Sequence, residues 1–390
     1  MMRMRRLEIL AAVLSGMLPI ASGGCASDGS LDRPAAIGPS PVVQAEARIV
    51  TPTEVRTESE LAAEAERELM EQRWGAAATD YRLLVSADPT GPRASDYLFD
   101  LGLSLEGGQD RPGARDAFLE LARRFPHGRS ARTALVRAAT LDAYLEDWLS
   151  LASIGDTILA RDDIEDVDRL VALGARGLAR IESADDGRAA RDIYDGLELA
   201  DRLHYGARDV LPVAVAQLRF ALGELRRFRS ERIALDPAPA EFLDRLDARC
   251  AGLLDAQAAY GEAVRSVDPH WASMAGFRVG EMYRTLHKAL VEIPPPSTSK
   301  TQRQKDIFFA FMHVRYRVLL EKGLREMEQT IALGDRTNDS SRWVVRAREA
   351  KEEMQAALAV EEATLGRMPF TEAEIKMAMD LLRQKAAIRR

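Results

Sequence analysis

Apolar residues recur every three or four positions along most of the chain from Thr57 onward. Thr57 and Glu60 are spaced as a capping box, the pair of side chains that closes the first turn of a helix, and the periodic run begins at Leu61. Alternating apolar and polar stretches bounded by turn residues, which are typical of strands, are almost missing. We therefore expect an all-α protein built of paired helices with short turns.

Two consecutive segments of the chain share one spacing of apolar residues. Their matching positions are Ala77, Tyr81, Leu84 and Pro89 in the first segment and Ala114, Phe118, Leu121 and Pro126 in the second. In each segment the aromatic residue follows the small one by four positions, the leucine follows by three more and the proline by five more. The two prolines lie 37 residues apart, and a period in this range is typical of a helical solenoid.

The second segment shows why such a spacing packs two helices together. Gly102 and Ala114 have small side chains, so the helices that carry them can approach closely where they cross. Phe118 then fills the space toward the next helix. Pro126 ends the second helix, because it has no amide hydrogen to donate and restricts the residue before it.

This combination of positions resembles the signature of the tetratricopeptide repeat family, whose period is ~34 residues. A looser match runs through Gly174, Ala190 and Tyr194, with four extra residues in its turn, and another includes Gly280. The resemblance implies a solenoid of helix-turn-helix repeats. For the middle section, a helical bundle without repeats is the alternative interpretation.

Two short stretches resemble repeats of particular lipoproteins. Residues 125–130 are similar to the repeat ends of outer-membrane assembly and cell-division lipoproteins. Residues 268–280 are similar to the C-terminal repeats of gliding-motility lipoproteins. These resemblances imply a protein of the bacterial cell envelope.

The first 24 residues have the pattern of a secretory signal peptide: three arginines, a short apolar stretch over residues 9–20, and small residues. Cys25 follows them in a setting that resembles a bacterial lipobox, although Ser22 stands where an aliphatic residue is usual. The resemblance implies that the Cys25 thiol is acylated; the alternative is an ordinary signal peptide with an incidental cysteine. We expect residues 25–56 to form a flexible linker, because they are rich in proline, glycine and serine.

Proline-rich breaks divide the rest of the chain. The residues at 236–239 and 294–296 interrupt the helical periodicity. We expect helical repeats over residues 57–235, one or more further helix pairs over residues 240–293, and a C-terminal section of long helices over residues 300–390.

The balance of acidic and basic residues indicates which class of partner is disfavoured. The chain has 54 Lys and Arg against 61 Asp and Glu, which gives a net charge of −7 at pH 7. A mixed, mildly acidic surface disfavours nucleic acid as a partner. Residues 226–232 are basic, but Glu224 and Glu231 pair with them at helical spacing, so we interpret this stretch as a solvated helix face. We interpret the acidic residues 162–168 as the start of a helix.

No arrangement of reactive residues in the sequence points to an active site. The histidines are His127, His204, His270, His287 and His313. They form neither an HxxxH nor an HExxH pattern, and nucleotide-binding glycine loops are absent. We therefore expect no catalytic residue, no metal site and no cofactor, and we predict that the protein is not an enzyme.

In the family that the chain resembles, the first helix of each repeat lines a concave groove. The corresponding positions of the second segment are Asp96, Phe99, Leu103 and Glu106. This set is apolar and acidic, and it lacks the basic clamp that binds free carboxylate tails. It therefore favours an apolar or basic peptide segment.

Together these features predict a non-catalytic scaffold of the cell envelope that binds other envelope proteins or peptides. We expect it to be exported and held on the periplasmic side of the outer membrane by a lipid on Cys25. The alternative is a soluble periplasmic module that binds a ligand or a peptidoglycan fragment.

Overall fold

The computed structural model of the chain describes residues 56–205, 211–235, 239–297, 299–371, 373–375 and 377. The predicted signal peptide, Cys25 and most of the predicted linker lie outside these residues.

Thirteen long α-helices follow one another through the described residues. They are α1 (Glu58–Met70), α2 (Trp74–Ala87), α3 (Ala94–Gly107), α4 (Arg111–Arg124), α5 (Ala131–Leu145), α6 (Trp148–Leu159), α7 (Asp166–Glu182), α8 (Asp186–Arg202), α9 (Val213–Glu231), α10 (Pro239–Ala263), α11 (Pro269–Val291), α12 (Gln302–Thr337) and α13 (Arg342–Gly366). Within this part of the chain there is no strand, only an isolated bridge between Leu211 and Ser266. The predicted all-α fold is confirmed.

Helix starts follow the predicted capping chemistry. The Thr57 hydroxyl accepts a hydrogen bond from the Glu60 amide, while the Glu60 carboxylate accepts one from the Thr57 amide. Thr371 and Glu374 make the same reciprocal pair at the start of a final short helix. No helix among the described ranges is both long enough and apolar enough to cross a membrane.

A repeated turn shows that the first eight helices form four helical hairpins of one kind. Each hairpin places a residue with left-handed backbone in its turn: Gln72, Gln109, Glu146 and Ala184, with φ of 59°, 66°, 57° and 60°. In every case the amide of the next residue donates to a carbonyl five positions back, which closes the end of the first helix. These turns recur at intervals of 37, 37 and 38 residues. The chain is therefore a helix-turn-helix repeat array.

The two helices of the second hairpin cross where one of them has a glycine. A methyl group on Gly102 would overlap the ring of Phe118, and both Ala114 and Phe118 are fully buried. The close approach of α3 to α4 therefore depends on the small side chains at the crossing.

The fourth hairpin uses a different register from the one that we predicted through Gly174, Ala190 and Tyr194. Tyr194 is 50% exposed, so it does not fill the hairpin interior. The crossing lies instead at Gly177, where an added Cβ would stand 2.8 Å from Ile193, a residue that is fully buried. The alignment through Tyr194 was wrong because we matched the aromatic residue and inserted four residues into the turn to reach it.

The C-terminal helices are longer but cross by the same means. Gly280 of α11 lies against α12, where an added Cβ would stand 3.1 Å from the Gly323 carbonyl oxygen and 2.7 Å from Met327. The proline-rich break over residues 294–296 separates these two helices.

Contacts also join the third hairpin to helices that lie much later in the sequence. Tyr144, near the end of α5, lies with its ring 4.4 Å from that of His270 at the start of α11. The guanidinium of Arg342 donates to the Tyr144 carbonyl at 2.7 Å and pairs with Glu146 at 3.0 Å. The third hairpin thus contacts the helices that follow residue 268, whereas α1 to α4 pack mainly against their sequence neighbours.

One predicted surface is buried in part. Arg227 lies between Glu224 and Glu231, at 2.7 Å and 2.9 Å, as the helical spacing indicates. However, the side chain of Glu224 is only 2% exposed, and Arg278 of α11 also reaches it at 3.3 Å. The prediction of a solvated face was wrong for these residues because α7, α8, α10 and α11 all pack around α9.

Candidate functional site

Helix α3 presents the four predicted groove residues on one face, since Asp96, Phe99, Leu103 and Glu106 are spaced by three or four positions. Asp96 is exposed and the other three are half-buried. A depression of about 300 Å³ lies beside the first two of them. We call it the acidic groove.

The acidic groove is formed by α1, α2, α3 and the residue before α5. Its lining residues are Ala62, Glu66, Tyr81, Arg93, Asp96, Tyr97, Phe99, Asp100 and Ser130. Three of these nine side chains are carboxylates and three are aromatic, whereas Arg93 is the single cation among them.

Aromatic rings give the acidic groove its shape. Tyr81 and Tyr97 are almost fully buried, with ring centroids 6.3 Å apart. Phe99 is half-buried and packs against Phe118 of the same hairpin at 5.6 Å. The acidic groove therefore has a rigid aromatic lining in which part of the Phe99 ring stays open to a ligand.

Hydrogen bonding fixes Tyr97 across two hairpins. Its hydroxyl donates to the Glu58 carboxylate at 2.9 Å, and the guanidinium of Arg93 lies 4.9 Å from its ring centroid. Burial, followed by the hydrogen bond to Glu58, raises the pKa of Tyr97. The charge of Arg93 acts to lower the pKa of both Tyr97 and Asp100, so it partly offsets the carboxylates of the groove.

Asp100 is the most perturbed carboxyl group of the acidic groove. Its pKa is raised to about 6: burial is the largest cause and the nearby Asp96 carboxylate adds to it, while a hydrogen bond from Tyr81 and the charge of Arg93 oppose the shift. At neutral pH Asp100 is therefore ionised in a place that disfavours its charge. A cation that binds beside it would relieve this cost.

The structure brings only two of the four predicted residues into the depression. Asp96 and Phe99 line it. Leu103 lies one turn further along α3, and the Glu106 carboxylate is held by Arg137 of α5 at 2.7 Å. Glu106 therefore links the second and third hairpins through an ion pair and does not line the depression.

Sequence reasoning missed other lining residues. Asp100 follows Asp96 by four positions, so the helical spacing that selected Asp96 was enough to find it. Tyr81 was interpreted only as the aromatic position of the first repeat, and Arg93 stands in the connection between repeats. Glu66 comes from the preceding hairpin, and no local pattern places it beside α3.

A second depression, of about 320 Å³, lies between α6, α7 and α8 and is basic. Arg169, Arg176 and Arg202 contribute to its lining. Arg176 already pairs with Asp192 at 2.7 Å and with Asp156 at 3.0 Å. Because a central arginine is committed to structural ion pairs, the acidic groove is the better candidate.

Three of the histidines are wholly or partly buried. Burial lowers the pKa of His270 to about 3, which keeps the ring neutral where it packs against Tyr144. His287 and His313 come from different helices and both lie beside Glu361. The sequence pattern gave no sign of this juxtaposition.

The sequence matches no family model and no curated protein. One solved structure similar to the chain is a tetratricopeptide repeat protein from Parabacteroides merdae ATCC 43184. The two share 12% sequence identity with a TM-score of 0.39, over 76% of this chain and 98% of that one. The assignment of a helical repeat array rests on the recurring turns and crossings of the chain itself.

Proposed function

We propose that this chain is a non-catalytic scaffold that binds segments of other proteins in the acidic groove. We further propose that it prefers segments in which apolar and basic residues alternate at short range. The observation that carries this proposal is the placement of Asp96 and Asp100 beside the partly open ring of Phe99.

The chemistry of the lining supports such a ligand. Lysine or arginine side chains would make charge-assisted hydrogen bonds to the carboxylates. An apolar side chain of the same segment would cover the open part of Phe99, where each Å² removed from water contributes about 25 cal/mol. The depression has a volume of about 300 Å³, at the lower end for a small-molecule pocket, so it suits a few side chains of a longer segment.

The residue types of the groove favour a binding role. Its nine lining residues include neither histidine nor cysteine nor lysine, so neither a thiol nor an imidazole or amine base stands beside the Ser130 hydroxyl.

A library of labelled peptides tests the groove directly. We expect peptides that combine leucine or phenylalanine with lysine or arginine to bind more tightly than peptides of the same length with acidic residues. Phe99→Ala should weaken binding about 10-fold, because a half-buried aromatic ring is a typical anchor. The measurement is fluorescence polarisation of each peptide against the purified chain.

Leu83→Ala is the matched control, because Leu83 lies on α2 of the first hairpin and is 51% exposed outside the groove lining. It should leave binding unchanged. Equal binding of basic and acidic peptides, or equal loss in both variants, would refute the proposed site.

We also propose that the scaffold is exported and tethered to the periplasmic side of the outer membrane through Cys25. The basic, apolar and small-residue pattern that precedes Cys25 supports this proposal. The stretch of linker that follows would span ~30 Å on average, enough to hold the helical array clear of the membrane surface.

Palmitate labelling in cells tests the tether. Labelled chain should appear in the membrane fraction, and Cys25→Ser should abolish the label and release the chain. Cys250→Ser should keep it, because Cys250 is a half-buried residue of α10. Export of an unlabelled, soluble wild-type chain would instead favour the periplasmic ligand-binding module.

A further inference from the structure

The last three long helices bring together two histidines and one glutamate. His287 comes from α11, His313 from α12 and Glu361 from α13. One ligand atom from each lies within 4.8 Å of the others. The Glu361 Oε1 atom stands 2.9 Å from His287 Nε2 and 2.8 Å from His313 Nδ1. We call these three residues the histidine cluster.

Hydrogen bonding within the cluster leaves buried polar atoms without partners. The Oε2 atom of Glu361 is buried and accepts no hydrogen bond. The Nε2 atom of His287 is close to Oε1 but off the line of a hydrogen bond, and it has no other partner. Both side chains are more than nine-tenths buried. Burying a carboxylate oxygen and an imidazole nitrogen without well-aligned hydrogen bonds costs folding free energy unless another group binds these atoms.

We propose that the histidine cluster is a binding site for one divalent transition-metal ion, of which Zn²⁺ fits best. Two imidazole nitrogens and one carboxylate are a common protein ligand set for zinc. Calcium and magnesium prefer sites made of oxygen ligands, and the cluster offers no thiolate that would favour copper(I). The two nitrogens therefore select a transition metal.

The dimensions of the cluster suit such an ion. Zinc holds nitrogen and oxygen ligands at about 2.1 Å, which puts neighbouring ligand atoms of a tetrahedron roughly 3.4 Å apart. The two distances from Glu361 Oε1 to the histidine nitrogens, 2.9 Å and 2.8 Å, would lengthen slightly when an ion binds. The two histidine nitrogens lie within 4.8 Å of each other and would reach the ligand spacing by small side-chain rotations. His313 is 28% exposed, so an ion can enter past it from solvent.

A bound ion would join α11, α12 and α13 at one point. It would also neutralise the Glu361 carboxylate, whose own helix is the last long one of the array. Three protein ligands leave a fourth position for water or for a donor group of a partner. The C-terminal helices would then be stabilised by metal as well as by packing.

Zinc titration of the full chain, first freed of metal with a chelator, tests this proposal. Competition with a chromophoric zinc indicator gives both the stoichiometry and the dissociation constant. We expect one Zn²⁺ per chain, and a loss of affinity of more than about 10-fold in His313→Gln and in Glu361→Gln. His127→Gln is the matched control, because His127 is exposed and far along the chain from the cluster, and it should bind as the wild type does.

Thermal unfolding separates an ion site from a cluster held by hydrogen bonds alone. Zinc should raise the Tm of the wild type and of His127→Gln but not of His313→Gln. If Glu361→Gln fails to fold, the wild-type stoichiometry and the variant at His313, which is only partly buried, still decide the question. No zinc bound to the wild type, or unchanged affinity in His313→Gln, would overturn the proposal.

Discussion

The carboxyl group of Asp100 lies in the wall of the acidic groove, one helical turn from Asp96. Its pKa is raised from 3.8 to about 6, chiefly by burial and in part by the charge of Asp96. A carboxyl group with a raised pKa lowers the stability of the fold once it ionises. The acidic groove is thus built at a cost in stability, which a basic ligand would offset.

Replacing Asp100 by asparagine should therefore stabilise the free chain. The gain should be small near pH 4 and absent well below pH 3.8, where the carboxyl group is protonated in both states, and it should develop as the pH rises to about 6. Because the carboxyl is only partly buried and solvent screens it, we expect about 1 kcal/mol at pH 7. Urea unfolding of both proteins at pH 4 and pH 7 measures this difference.

Asp162→Asn serves as the control, since Asp162 is an exposed residue before α7, and its stability should match the wild type at both pH values. A destabilised Asp100→Asn at pH 7 would contradict the cost in stability that the raised pKa implies.

At the scale of residues, local spacing predicted part of each site. The spacing within one repeat predicted that Asp96 and Phe99 line the groove. Tyr97 and Glu66 reach the groove through contacts between hairpins, which a spacing rule within one helix does not encode. The histidine cluster was beyond reach for the same reason: His287, His313 and Glu361 lie on three helices, separated by 26 and 48 residues.

At the scale of elements, the turn is a better guide to the repeat than the aromatic residue. Asp110, Asp147 and Asp185 each follow a left-handed turn residue and cap the second helix of their hairpin. The third hairpin does not show the repeat signature in the sequence, because Leu151 and Gly155 occupy the positions that Ala114 and Phe118 occupy in the second hairpin. Large and small side chains have exchanged places there while the turn has not changed.

The corrected register of the fourth hairpin makes a direct prediction. Gly177→Ala should destabilise the chain by about 1–2 kcal/mol, because the added methyl would stand 2.8 Å from buried Ile193. Gly174→Ala should be neutral or stabilising, since its nearest neighbour, Gln217, lies at an ordinary 3.4 Å and alanine favours helix. Thermal unfolding of the two variants compares them.

Gly187→Ala provides the baseline for these two changes, because Gly187 lies early in α8 with open space around it. A larger loss in Gly174→Ala than in Gly177→Ala would restore the register through Tyr194.

At the scale of the whole molecule, contacts join helices that lie far apart in the sequence. Tyr144 and Glu146 of the third hairpin meet the start of α11 and of α13. Repeat patterns in the sequence cannot show these contacts, because they join residues 124 to 200 positions apart.

Net charge acts at the same scale. The chain carries −7 at pH 7, and the carboxylates of the acidic groove add to an overall field that attracts cations. Association with a basic segment should therefore weaken as salt is added, since salt screens exposed charges over about 10 Å at 0.1 M.

The most direct test of a basic-segment scaffold is the dissociation constant of one basic, amphipathic peptide at low and at high salt. We predict that the wild type loses affinity as salt rises, and that the double variant Asp96→Asn/Asp100→Asn binds at least about 10-fold more weakly at low salt with a smaller salt dependence. Asp162→Asn should behave as the wild type. Equal affinity and equal salt dependence of the double variant and the wild type would contradict the acidic groove as the binding site.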